Sequence, residues 1–233
     1  MLRQEPLHKY PKDRDYDALR RPVGRLKAYA NLLLADHGIF RPFYNRPSLV
    51  ADGMWRSAQP TPGDLKALKD KGFRTIVNLR GPSPKPYYVL ESQACRDLGL
   101  TLVDFRIRSR DLPYVWQLHD AKRLFEMIEY PALMHCKSGA DRAGLMSALY
   151  LIIRKGVPVD EAIPHLSLKY YHFRHAKTGI LDFMLERYRD DTADAPRPFL
   201  NWVEDGYDPE ALTRDFHADF WPSLIVDRIL RRE

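Results

Sequence analysis

A cysteine and an arginine bracket five residues in the segment HCKSGADRAG, which runs from His135 to Gly144. An apolar run at 132–135 precedes this segment and a strongly apolar run at 142–154 follows it, so we predict a strand, a loop and a helix in that order. Such a loop directs its backbone N–H groups and the start of the helix into one concavity, where the aligned dipoles favour an anion. The spacing therefore predicts an anion-binding loop.

The residue types in this loop indicate covalent chemistry. Cys136 lies at the base of the predicted cradle, where we expect its thiolate to be stabilised and reactive at neutral pH. Arg142 adds a planar fork that can bind two oxygens of a phosphoryl group. Gly139 and Gly144 permit a tight turn and close packing of the helix. A nucleophile and an oxyanion cradle in one loop suit phosphoryl transfer through a thiophosphate.

The segment resembles the phosphate-binding loop of the cysteine-dependent protein tyrosine and dual-specificity phosphatases, whose pattern is His-Cys-x5-Arg-Ser/Thr-Gly. WRSAQP at 55–60 and TIVNLRG at 75–81 resemble the opening strands of compact bacterial and dual-specificity-like members, so the resemblance covers residues 50–155. It implies a phosphomonoesterase that needs no metal and no cofactor, with Cys136 as nucleophile and Arg142 on the phosphate and the transition state. It implies that His135 supports the loop and tunes the thiolate. The phosphate-binding residues it implies are Lys137, Ser138, Gly139, Ala140, Asp141 and Arg142.

This chain departs from the family pattern after the arginine, and it offers two aspartates for the general acid. The family usually has a hydroxyl residue after the arginine, where this chain has Ala143, so we expect slow hydrolysis of the phosphocysteine. The family also needs an aspartate as general acid. We favour Asp111, in the polar loop SRDLP, over the alternative Asp104, which lies within a predicted strand.

The resemblance makes phosphotyrosine the expected substrate, carried by a phosphorylated protein or a small phosphate ester. Two alternatives stay open: an inositol phosphate or phosphoinositide phosphatase, and a weakly active phosphate-binding module. We expect Asp141 to have a structural role, and its charge disfavours highly phosphorylated substrates. Arg56 and Arg80 end two predicted strands, and we expect each to form a structural ion pair.

Strands and helices alternate through the middle of the chain, which predicts an α/β domain with a central sheet flanked by helices. We place the phosphatase-type domain at 49–190, between an N-terminal helical extension at 1–48 and a C-terminal extension at 191–233. The first twenty residues are polar and expected to be loosely attached, and a helix at 25–40 is expected to stop at Gly38. The predicted strands are 54–58, 73–79, 100–107 and 132–135, and the predicted helices of the domain are 61–71, 87–98, 116–129, 142–154, 159–175 and 179–189.

The charge and the aromatic content of the chain bear on whether it binds nucleic acid or a membrane. The net charge of +6 comes with no dense Lys/Arg block, so we expect no nucleic-acid partner. The aromatic and basic stretch 165–177 is instead expected to form an amphipathic helix that packs Leu166, Tyr170 and Phe173 on the core. A last helix at 222–232 is expected to dock on the domain rather than on a membrane.

The same composition favours the cytoplasm. With only Cys95 and Cys136, the chain can build neither a disulfide framework nor a thiolate zinc cluster, which favours a reducing compartment. The charged start of the sequence lacks the apolar region of a secretory signal. The most apolar stretch, 145–153, is too short to span a bilayer.

Overall fold

A mixed five-stranded sheet forms the centre of the molecule. The computed structural model describes residues 2–3, 10–35 and 46–217. The strands are β1 (Ser48–Ala51), β2 (Met54–Ser57), β3 (Thr75–Asn78), β4 (Thr101–Asp104) and β5 (Ala132–His135). Their order in the sheet is β1-β2-β5-β3-β4, with β1 antiparallel to β2 and the other neighbours parallel. The predicted α/β class is confirmed.

Helices cover both faces of this sheet. They are α1 (Asp13–Arg20), α2 (Pro22–Ala30), α3 (Pro62–Asp70), α4 (Pro86–Leu98), α5 (Val115–Met127), α6 (Asp141–Leu149), α7 (Val159–Ala162), α8 (Ile180–Asp191) and α9 (Phe199–Gly206). A π-helical turn continues α2 and another continues α6, and residues 209–217 are also helical. Within the described residues, no helix is long and apolar enough to cross a membrane.

The alternation of side chains along the strands divides the core between two faces. Ile76 and Leu133 point to the face covered by α3 and α4, and that cluster includes Cys95. Val77 and Met134 point to the other face, where α5, α6 and α8 pack in the cluster that includes Cys136. The two cysteines therefore lie on opposite sides of the sheet.

The predicted elements around the anion-binding loop are confirmed. Strand β5 ends at His135 and α6 begins at Asp141, so the loop occupies the intervening residues. Thr61 caps α3 as expected, because its side-chain oxygen accepts a hydrogen bond from the Asp64 backbone N–H. The parallel strands β2, β3, β4 and β5 all end at the same edge of the sheet, where the loop lies.

The predicted helix over 159–175 is wrong. Helix α7 ends at Ala162, and short 3-10 turns follow at Ile163–His165 and Leu168–Tyr170. Pro164 cannot donate the backbone hydrogen bond that an α-helix needs there, and Tyr171 takes a left-handed conformation with φ of 60°. Leu166 is buried but Phe173 is 58% exposed, so the expected apolar face does not form.

The expectation of loose attachment is wrong for residues 13–20, which form α1. The hydroxyl groups of Tyr16 and Ser92 are 3.1 Å apart, and the guanidinium of Arg96 on α4 lies 4.9 Å from the centre of the Tyr16 ring. These polar and cation–π contacts hold the helix together with Leu19, which is partly buried against the cluster of Ala28, Leu32 and Leu90. The expected stop at Gly38 lies outside the described residues.

Aromatic residues after α8 pack into the same core as the sheet. Phe199 and Trp202 on α9 are buried in the large cluster, and Trp202 donates its indole N–H to Asp191. The hydroxyl of Tyr207 donates to the carbonyl of Pro113, in the loop between β4 and α5. The core is thus continuous across residue 190, and the predicted boundaries at 48 and 190 stay a prediction. The expected helix at 222–232 lies outside the described residues.

Candidate active site

The loop between β5 and α6 holds the buried sulfur of Cys136 against a backbone amide. Cys136 is 1% exposed, and the N–H of Gly139 donates to its Sγ over 3.2 Å. Helix α6 begins two residues further on, so its N-terminal dipole is directed at the same concavity. Arg142, the second residue of α6, is half-buried at this helix start. The structure thus joins the predicted nucleophile to an amide donor and places the predicted arginine at the start of the helix that follows.

Glycine is required at two positions of this segment. Gly139 has a φ of +74°, and a Cβ there would lie 2.6 Å from the backbone nitrogen of Ala58. A Cβ on Gly144 would lie 2.7 Å from the carbonyl oxygen of His165. The first glycine lets the loop press against the end of β2, and the second lets the 3-10 turn pack against α6.

Arg56 holds the loop from behind. Its buried guanidinium donates to the carbonyls of Gly139 over 2.6 Å, Ala140 over 3.1 Å and His165 over 2.8 Å. The ring of Tyr170 covers it, 3.9 Å from ring centre to guanidinium carbon. Burial lowers the pKa of Arg56 to about 10, so the group is charged at neutral pH. The expected ion pair is wrong: carbonyls, rather than a carboxylate, occupy this guanidinium.

Two further contacts connect the loop to the rest of the sheet edge. The backbone N–H of Gln59 donates to the carbonyl of Lys137 over 3.3 Å. Arg80 donates to the Gln59 side chain over 2.8 Å, and its guanidinium carbon lies 3.5 Å from the Tyr87 ring centre. Within the loop, the Ala140 N–H donates to the Ser138 hydroxyl over 3.4 Å. Arg80 therefore supports the loop indirectly.

His135 pairs with a buried carboxylate behind the loop. Its Nε2 lies 2.6 Å from an oxygen of Glu91 on α4, and both side chains are excluded from solvent. Its Nδ1 lies 3.4 Å from the carbonyl oxygen of Cys136. The pair therefore fixes the orientation of the imidazole next to the cysteine.

Asp141 belongs to a second buried network. Its carboxylate lies 2.8 Å from Nδ1 of His172, and the Nε2 of this imidazole lies 2.6 Å from Asp182 on α8. Burial disfavours the charged imidazole, but the hydrogen bonds to both aspartates outweigh it and raise the pKa of His172 to about 9. His172 is thus a cation at neutral pH. The structural role expected for Asp141 is the one observed, and its negative charge is compensated.

The two candidate general acids lie in different surroundings. Asp104 ends β4 in the same row of the sheet as Asn78 and His135, two strands from the loop or about 10 Å. Its oxygens accept hydrogen bonds from the Tyr88 hydroxyl over 2.6 Å and from the Asn78 side chain over 2.9 Å. Burial raises its pKa to about 6, although both hydrogen bonds act in the opposite direction.

Asp111 lies on the loop between β4 and α5. Its side chain is 58% exposed, and a carboxylate oxygen lies 3.4 Å from a guanidinium nitrogen of Arg108. The following residues, Leu112 and Pro113, are buried and anchor this end of the loop. The structure does not join either aspartate to Cys136, so the choice between them stays a prediction.

Sequence reasoning missed two residues of the site. Glu91 sits in a helix of ordinary amphipathic pattern, and only its burial among apolar neighbours such as Leu90 distinguishes it. His172 was placed in a predicted helix, where it had no assigned contact. Its separation of 31 positions from Asp141 leaves no local pattern to detect.

Comparison with known proteins agrees with this geometry. Residues 47–181, more than half of the chain, match the model of a family described as DSP-PTPase phosphatase fused to NAD+ kinase. The chain belongs to this family of dual-specificity-like phosphatases, which confirms the resemblance noted for HCKSGADRAG.

Three similar proteins give the range of the likeness. Inositol diphosphatase DSP3 of Arabidopsis thaliana is 30% identical over 42% of this chain and 50% of its own length. Inositol diphosphatase DSP1 of Oryza sativa subsp. japonica is 28% identical over 47% of this chain and 50% of its own. The chain therefore matches half of the length of these curated relatives. The crystal structure of Tk-PTP in its active form is 20% identical, with a TM-score of 0.49, over 60% of this chain and 96% of that one.

The charged state of His172 predicts a pH-dependent stability. The pKa of His172 is raised from 6.5 to about 9. The stabilisation that the charged imidazole contributes to the folded state is therefore complete below pH 6.5 and is lost as the pH rises through about 9. We expect His172→Gln to lower the free energy of unfolding at pH 6 by about 1–3 kcal/mol and to flatten its fall toward pH 9. Urea unfolding over this pH range measures both effects.

The neighbouring His175→Gln is the matched control, because His175 is exposed. This control should keep the wild-type dependence of stability on pH. A His172→Gln profile parallel to that of the wild type would show that the imidazole does not carry the charge.

Proposed function

We propose that this protein hydrolyses phosphate monoesters through a phosphocysteine formed on Cys136. The observation that carries the proposal is the N–H of Gly139 donating to the Cys136 sulfur, in a loop that leads directly into α6 and Arg142. An amide donor and a helix N-terminus close to a cysteine, with an arginine on that helix, are features typical of nucleophilic cysteines. The same groups bind the equatorial oxygens of a transferring phosphoryl group.

In the first step, the Cys136 thiolate attacks phosphorus, and the bond between phosphorus and the ester oxygen breaks. Asp111 gives its proton to the leaving oxygen, while Arg142 and the loop amides bind the three remaining oxygens. In the second step, water attacks the phosphocysteine, the sulfur–phosphorus bond breaks, and inorganic phosphate leaves with the thiolate restored. Asp111 takes a proton from the attacking water and so returns to its starting state.

Two substrate classes have support. The family description names a PTPase over residues 47–181, which favours phosphotyrosine. The curated relatives are named inositol diphosphatases, and this favours a phosphorylated inositol. The compensation of Asp141 by His172 removes the expected repulsion of a highly phosphorylated substrate. Phosphotyrosine remains our first proposal, and the inositol class is the second.

Replacement of the nucleophile tests the proposed chemistry. We expect vanadate-sensitive release of phosphate from an aryl phosphate, and we expect Cys136→Ser to lower it by at least about four orders of magnitude, because serine is a far weaker nucleophile at neutral pH. Cys95→Ser, on the opposite face of the sheet, is the matched control and should retain activity. Hydrolysis that survives in Cys136→Ser would refute the phosphocysteine. Phosphotyrosyl peptides compared with inositol phosphates in the same assay decide the substrate class.

A pair of variants tests the general acid. We expect Asp111→Asn to lower kcat by about 10²–10⁴ on an ester with a poor leaving group, and much less on one with a good leaving group, because only the poor one needs a proton. Asp104→Asn should reduce stability and change this leaving-group dependence little, since both Asp104 oxygens hold structural hydrogen bonds. If Asp104→Asn, and not Asp111→Asn, lowers kcat mainly on the ester with the poor leaving group, Asp104 is the general acid.

Ala143 tests the breakdown of the intermediate. The buried Ala143 side chain carries no hydroxyl to assist release of the thiolate. The wild type should therefore release the leaving group in a burst of one equivalent per site, followed by slow turnover. Ala143→Ser should accelerate the slow phase by about tenfold and reduce the burst. Ala148→Ser, which adds a hydroxyl elsewhere on α6, is the control for packing effects. Equal rates for the first and later turnovers of the wild type would contradict this expectation.

A further inference from the structure

Apolar side chains project into solvent from the segment that follows α7. Leu168 is 69% exposed, Tyr171 52% and Phe173 58%. Residues 168–170 form a 3-10 turn and Tyr171 follows it in a left-handed conformation, so the three exposed side chains come from one short irregular segment. Clusters of exposed large apolar side chains in a folded protein mark an interaction site.

Positive charge surrounds these side chains. The cations Lys169 and Lys177 are exposed among them, as is His175, and residues 162–181 include neither aspartate nor glutamate. Arg174 adds a further cation, which lies 2.6 Å from Glu186 on α8. We call Leu168, Lys169, Tyr171, Phe173, His175 and Lys177 the 168–177 surface. Its charge complements an anionic partner.

The segment is held rigidly beside the phosphate-binding loop. Tyr170 points inward and stacks on His165, with ring centres 5.8 Å apart, while also covering Arg56. His172 points inward to Asp141 and Asp182. The side chains alternate along this segment. Tyr170 and His172 point inward, and Tyr171 and Phe173 therefore point outward into solvent. The 168–177 surface therefore has a fixed position next to the loop.

We propose that the 168–177 surface binds the anionic face of a phospholipid bilayer. Aromatic and aliphatic side chains enter the headgroup boundary, while the flanking lysines contact lipid phosphates. Protein surfaces that bind single-stranded RNA also combine aromatic rings with cations, but the RNA bases stack on the faces of those rings. The most exposed apolar residue here, Leu168, has no ring, and Tyr170 is already stacked. Hydrocarbon fits these side chains better than bases do.

Vesicle co-sedimentation of the full chain tests the proposal. We expect binding to phosphatidylcholine vesicles that contain phosphatidylglycerol, and weak binding to phosphatidylcholine alone. Leu168→Ser with Phe173→Ser should reduce the partition coefficient by at least about tenfold, because two apolar side chains are lost from the interface. Lys169→Gln with Lys177→Gln should reduce it by about fivefold per lysine on anionic vesicles only.

Leu49→Ser with Met127→Ser is the matched control, because both residues are exposed and apolar but lie outside the 168–177 surface. All variants should hydrolyse a soluble aryl phosphate at the wild-type rate, so that loss of vesicle binding is distinguished from loss of fold. The proposal is overturned if the wild type does not bind anionic vesicles, or if Leu168→Ser with Phe173→Ser binds them as the wild type does. It is also overturned if the wild type binds single-stranded RNA and these two substitutions weaken RNA binding but leave vesicle binding unchanged.

Discussion

A loop that directs its N–H groups toward one anion must direct carbonyls the other way, and those carbonyls need donors of their own. Arg56 provides them. One planar guanidinium binds the carbonyls of Gly139 and Ala140 and, on its other side, that of His165. A lysine could not span this arrangement, since its donors radiate from a single nitrogen. The position of the cradle relative to Cys136 thus depends on a buried cation that never needs to touch the substrate.

Ionisable side chains that are buried around the loop lie against one another in sets. Glu91 lies against His135, and His172 lies between Asp141 and Asp182. Each set would be costly if one partner were missing, because an unpaired charge in a dry environment is poorly solvated. Their effect is to hold the strand end and the helix start, on either side of the sulfur, in one orientation. An anion can then bind without rearrangement of the groups that receive it.

The irregular segment after α7 follows from these same contacts. His165 offers its carbonyl to Arg56, Tyr170 covers that guanidinium, and His172 reaches Asp141. These three groups are presented from short turns, where Pro164 and the left-handed Tyr171 interrupt a regular helix. The cost is that Leu168 and Phe173 face solvent, although an amphipathic reading of the sequence would bury an apolar face here. Support of the loop and exposure of an apolar surface are two consequences of one conformation.

The amino-acid sequence was sufficient to predict the elements that are determined by residues close together in the chain. The strand–loop–helix around Cys136, the cap at Thr61 and the central α/β alternation were all readable, since periodicity, turn residues and the Cys-x5-Arg spacing act over a few positions. Helix α1 was not, because it relies on partners distant in the chain, and β1 was not, although its partner β2 begins only three residues after β1 ends. The supporting roles of Arg56, Glu91 and His172 were equally hidden. Tertiary structure alone decided them, because a buried charge reveals its function only through the group that folding places beside it.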